Sequence, residues 1–117
     1  MQKFERLKAH ADEITTHITL LASSRTRFLI ACRLLDHACS VNEISQSIGM
    51  HQSSVSQHLS RLRAAGVVEA HRQHRQVFYS LSNGSVVAFL NALDLIFAEK
   101  DQETIRRLSG PTPRTDG

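Results

Sequence analysis

Apolar residues recur at helical spacing along most of the chain and give way to strand-like alternation between residues 67 and 81. Phe4, Leu7, Ala11, Ile14, Ile18 and Leu21 lie three or four apart, with Lys8, Asp12 and Glu13 on other faces, and predict a first helix from roughly Phe4 to Leu21. Ser23 or Ser24 can cap a second helix, whose stripe of Phe28, Leu29, Ala31, Cys32, Leu34 and Leu35 runs out near His37 or Ala38. Ile44, Ile48, Met50, Val55, Leu59 and Leu62 then fall where two short crossed helices, at about 41–48 and 52–65, can bury them together. Gly49 supplies the backbone freedom between the two, and Gly66 stands where a left-handed C-terminal cap is wanted. Val67–Arg72 and Gln76–Leu81 alternate as two strands; Val77 and Tyr79 share one face and Phe78 the other, so one of these faces must be covered. A last helix should start after Asn83 or Ser85 and reach about Leu108, with Val86, Val87, Phe89, Leu90, Leu93, Leu95, Ile96 and Phe97 around much of its circumference.

The fold class these elements define is mainly α with a small β-hairpin wing, and residues 41–81 have the outline of a winged helix-turn-helix. Burying Val55 and Leu59 turns Gln52, Ser53, Ser56, Gln57 and Ser60 outward, followed one turn later by Arg61 and Arg63. Short hydroxyl and amide side chains of this kind donate and accept at base edges and phosphates in a major groove, so double-stranded DNA is the implied partner. The last helix is too apolar for one small domain to cover. Pairing with the first helix and with the same helices of a second copy accounts for it and predicts a symmetric homodimer.

Charge sharpens this picture only locally. The net charge of +3 over 117 residues is ordinary. Between His51 and Gln76, however, four arginines (Arg61, Arg63, Arg72 and Arg75) face one acid, Glu69, and His51, His58, His71 and His74 lie in the same stretch. A phosphate surface would draw those imidazoles toward protonation and be neutralised by the arginines, with counterion release as the driving force; the plainer reading is a solvated basic face. The length suits one domain, 1–108, with the tail 109–117 read as disordered from its composition. The chain has no run of about 18 apolar residues to span a bilayer and its first ten residues lack the apolar stretch of a secretion signal, which places it in the cytoplasm. In that compartment Cys32 and Cys39 read as thiols rather than a structural disulfide. Seven residues along a continuous helix, about 10.5 Å, also exceed the roughly 7 Å Cα limit for a bridge. The serines belong to a polar recognition face, no Gly-rich phosphate loop is present and the acids are scattered, so nothing points to an enzyme or to a cofactor.

SSRTRFLIACRLL, SVNEISQSIGMHQSSVSQHLSRLRAAGVV and QVFYSLSNGSV together resemble the ArsR/SmtB family of winged-helix repressors over residues 23–97. The resemblance implies a homodimer built from the first and last helices, a recognition helix at 52–65, and repression by occupying a promoter palindrome until an effector lowers affinity. Carried over by position, base and phosphate contacts fall to Gln52, Ser53, Ser56, Gln57 and His58, with Arg72, His74 and Arg75 reaching the flanking minor groove from the wing. A two-fold dimer would present its recognition helices to half-sites about one turn of DNA, roughly 34 Å, apart.

The metal-sensing members of the family use thiolates at the start of the third helix or Asp, His and Glu on the last helix. Here those places hold Ser40 and Asn42, with Cys39 displaced beside them, and Asn83 and Ser85. A zinc site wants about four converging N, S or O ligands, and no pair in this chain has that spacing, so no metal is expected. His10 and His17 share a face as exposed helix histidines. Cys32 resembles the position of one sensing cysteine in redox- and persulfide-responsive members, which makes it the candidate effector-sensing residue. The second cysteine of that pair would fall near Ala98 and is absent. Read from the residues alone, Cys32 is a small apolar group packing beside Leu29 and Leu35, which leaves an unidentified small molecule, or no effector. A different class of function also fits the pattern: a protein-interaction module that reuses the winged helix without specific DNA binding.

Overall fold

A computed structural model describes residues 2–109, so the tail expectation lies outside the described residues except at Ser109. The element order is α1 (Lys3–Ala9), α2 (Ala11–Ala22), α3 (Arg25–Asp36), β1 (Cys39–Ser40), α4 (Val41–Ile48), α5 (Gln52–Ala64), β2 (Val68–Gln73), β3 (Gln76–Leu81) and α6 (Gly84–Ser109). The core lies where α3, α4 and α5 meet the sheet: Ile30, Ala31, Ile44, Val55, Leu59, Leu62, Val67 and Val68 are almost wholly removed from water. Leu21 from α2 and Val86 and Leu90 from α6 close it from the far side.

Each boundary around the two short helices has a local cause. Ser40 and Glu43 form a reciprocal capping box at the start of α4, the Ser40 hydroxyl accepting from Glu43 N at 3.2 Å and the Glu43 carboxylate accepting from Ser40 N at 2.8 Å. Gly49 ends α4 at φ 70°, and the Ser45 hydroxyl donates to the Met50 carbonyl across the turn. Gly66, at φ 75°, ends α5 in a Schellman arrangement: its N–H reaches Arg63 O at 3.0 Å, and Val67 N reaches Leu62 O at 2.9 Å. Ser24, not Ser23, caps α3.

Several details differ from the sequence reading; among them His17, expected exposed, is half-buried with its Nε2 3.2 Å from the Ala65 carbonyl. The first helix is two, parted at His10 (φ −112°, ψ 15°) without Gly or Pro; α1 buries no residue, so the core does not hold it in line with α2. Met50 is 36% exposed instead of packed, because the left-handed Gly49 carries the chain out of the core before α5 begins. The wing belongs to a three-stranded antiparallel sheet of order β1-β3-β2, with Cys39 opposite Tyr79 and Ser40 opposite Phe78. Cys39 therefore lies on a strand, beyond a helix that stops at Asp36, and the continuous helix assumed for the Cys32–Cys39 spacing does not exist. Cys39 and Ser40 pair with the middle of β3, and Val77, Phe78, Tyr79 and Leu81 are all half-buried rather than sorted into wet and dry faces.

Candidate nucleic-acid interface

The helical period of α5 divides it cleanly. Val55, Leu59 and Leu62 are buried, while Gln52, Ser53, Ser56, Gln57, Ser60, Arg61 and Arg63 are exposed. The capping of this helix contrasts with that of α4. His51 stands at the N-cap with no side-chain hydrogen bond, so the first-turn N–H groups of α5 remain open to an anion such as a DNA phosphate. Gln52 does not project freely: its Nε2 donates to Asn42 Oδ1 of α4 at 3.0 Å, which orients the amide at the helix start.

His58 departs from the outward set. It is half-buried on α5, with its Nδ1 3.4 Å from Nη1 of Arg27. A guanidinium can only donate, so Nδ1 accepts and the proton sits on Nε2. Burial first, and then the Arg27 and Arg61 cations, hold the imidazole below the ordinary histidine pKa. In the free protein this histidine is therefore neutral, and the protonation expected of a phosphate-facing imidazole has to work against its surroundings. Arg27 carries no signal in a simple apolar-stripe reading. Its place one turn before Ile30 and Ala31 on the buried side of α3 is the clue that was available.

The hairpin presents the second group of candidates. Arg72, His74 and Arg75 are exposed, and none meets a partner side chain among the described residues. Strands β2 and β3 pair from Val68 opposite Leu81 to Gln73 opposite Gln76, leaving His74 and Arg75 as a two-residue loop at the tip. His74 takes φ 57° there, the left-handed region that histidine tolerates better than most residues. Midway along the hairpin, His71 Nε2 lies 3.4 Å from Glu69 and 3.3 Å from the Ser80 hydroxyl, so Glu69 is turned along the sheet beside an imidazole.

Cys32 is half-buried against the core, and burial pushes its thiol pKa up. Cys39 is 0% exposed and its thiol lies 3.4 Å from the His37 carbonyl; burial raises its pKa as well, the Arg33 cation opposing. Both are free thiols. Among the described residues no three His, Cys, Asp or Glu side chains come together as they would around a metal ion, and no helix is long and apolar enough to cross a membrane.

A second helix polar on its open side, seated across a preceding helix and followed by a basic hairpin, defines the chain as a winged helix-turn-helix protein. Residues 24–70 match the family model described as bacterial regulatory protein, arsR family. The chain is 33% identical over 99 residues to the biofilm growth-associated repressor of Xylella fastidiosa, covering 85% of this chain and 86% of that protein. It is 34% identical over 102 residues to the transcriptional activator HlyU of Vibrio cholerae, covering 87% and 91%. The crystal structure of the transcriptional repressor BigR from Xylella fastidiosa superposes with a TM-score of 0.75 at 34% identity, over 82% of this chain and 97% of that one. The chain belongs to the ArsR family, and it is a DNA-binding transcriptional regulator, not an enzyme.

Proposed function

We propose that the chain works in the cytoplasm as a homodimer, reads a two-fold-symmetric operator with α5, and represses transcription by occupying it. The observation that carries this reading is the division of α5: apart from Ala64 in the last turn, every side chain on its open face is either uncharged and hydrogen-bonding or basic, and His51 at the N-cap makes no side-chain hydrogen bond to the first-turn N–H groups. Such a surface has little to offer a hydrophobic protein partner and much to offer a major groove. In this proposal Gln52, Ser53, Ser56, Gln57 and Ser60 meet base edges and nearby phosphates, His58 and Arg61 meet the backbone, and Arg72, His74 and Arg75 follow the flanking groove.

Dimerisation is supported by the apolar surface that one protomer leaves open. Phe4, Leu7, Ile18, Phe89, Leu95, Ile96 and Phe97 are all exposed, on α1, α2 and α6. A groove of about 610 Å³, lined by Leu7, Ile14, Ile18, Leu21, Val86 and Phe89 among others, runs between those helices. Repression is the reading supported by the name of the Xylella relative; the Vibrio relative is named an activator.

Cys32 takes a packing role in this proposal. Its protonated, half-buried thiol beside core residues is a poor nucleophile, and Cys39 is sealed away on β1.

The test compares two variants on a cognate and a scrambled duplex. Gln57→Ala should lose about 1–3 kcal/mol on the cognate duplex and little on the scrambled one. Arg75→Ala should weaken both alike and flatten the salt dependence by about one phosphate contact. Equal losses on both duplexes for Gln57→Ala would remove base readout from α5.

A further inference from the structure

Arg27 is the one charged side chain among the described residues that is buried, at 6% exposure. No carboxylate lies within ion-pair distance of it among the described residues. Taking a guanidinium out of water without an anion is costly, and an apolar side chain of the same length would fill the space more cheaply. What the guanidinium adds is three directed arms. Nε donates to the Leu20 carbonyl at 2.7 Å, Nη2 donates to the Ser23 hydroxyl at 2.8 Å, and Nη1 reaches His58 Nδ1 at 3.4 Å. The first two lie at the C-terminal end of α2, which has no basic residue in its own last turn, so Arg27 supplies from α3 the cation that end of a helix favours. The third arm crosses to α5.

Resting on the DNA-reading role above, we infer that Arg27 is a positioning residue for DNA recognition: it holds His58 as the Nε2–H tautomer, so that a neutral imidazole donates to a backbone phosphate of the bound duplex. The charged groups facing His58 are Arg27 from α3 and Arg61 on α5 itself. Both oppose a second proton. Nε2 has no partner among the described residues and is left for the ligand. Because the donor is uncharged, the contact releases no counterion, and it strengthens binding without steepening the salt dependence.

The test measures affinity of the full chain for its selected duplex across salt, with nitrogen-15 spectra of the histidine rings. The wild type should show His58 neutral and protonated at Nε2. Arg27→Met and His58→Ala should each weaken binding about tenfold, the scale of one hydrogen bond to a charged group, and leave the salt slope unchanged. The double variant should lose no more than the worse single one, since both remove one contact. If Arg27→Met fails to fold, Arg27→Lys, which keeps the charge but cannot span three acceptors, should free the His58 tautomer and weaken binding in the same way. Losses that multiply in the double variant, a wild-type His58 protonated at Nδ1, or a tautomer indifferent to Arg27 would overturn the assignment. A wild type that prefers no duplex would overturn the DNA-reading role itself, whereas sound wild-type binding with multiplying losses would overturn the role of Arg27 alone.

Discussion

Burial first, and then the Arg27 and Arg61 cations, favour neutral His58, and that preference sets a pH dependence for the fold. Its folded pKa lies below that of the unfolded chain, so the unfolded chain takes up the proton first as pH falls. Stability linked to neutral His58 is complete above the unfolded histidine value and is lost as pH drops from there through the folded one. Urea melts between about pH 7.5 and 5 should show the wild type losing more stability across that window than His58→Gln. A second prediction concerns Cys32. Its raised pKa keeps it a thiol near neutrality, so alkylation of the folded chain should be slow, and Cys32→Ala should cost no more than about 1 kcal/mol and leave operator affinity unchanged under oxidant. Affinity that falls on oxidation in the wild type but not in Cys32→Ala would restore a sensing role. At this scale the sequence shows polar faces well and buried polar contacts badly. Gln57 and Ser56 are recognisable by their period against Val55 and Leu59, but Arg27 reads as one more polar residue in a helix's first turn because its burial depends on partners 4, 7 and 31 positions away.

The helix-turn-helix is framed by caps more than by propensity. Ser40→Ala breaks the capping box and should cost about 1 kcal/mol in a denaturant melt. Gly66→Ala should cost about as much for a different reason: a Cβ there meets nothing within 4 Å, so the loss is the strain of φ 75° alone. These elements were legible because Gly49 and Gly66 punctuate a strong 3.6-residue period, and the hairpin because its alternation begins where that period ends. Strand β1 was not, since two residues carry no period and pair only once β3 lies beside them. The break at His10 was hidden for a related reason: the apolar spacing continues across it, and the turn comes from α1 lacking any buried contact.

For the whole molecule, the open apolar faces of α1, α2 and α6 ask for a second copy. Leu7 is 61% exposed in the protomer, so Leu7→Glu should leave the fold intact yet shift sedimentation from dimer to monomer at micromolar concentration. A monomeric wild type would remove the two-fold geometry. With it would go the reason for a palindromic operator, because a single α5 reads only one half-site. Selection of bound duplexes from a random pool tests the central claim most directly. The account predicts recovery of inverted repeats with half-site centres about one helical turn, roughly 34 Å, apart, and relaxation of the same position in both halves when Gln57→Ala is used. Recovery of no common sequence, or of a site that Gln57→Ala selects unchanged, would contradict it.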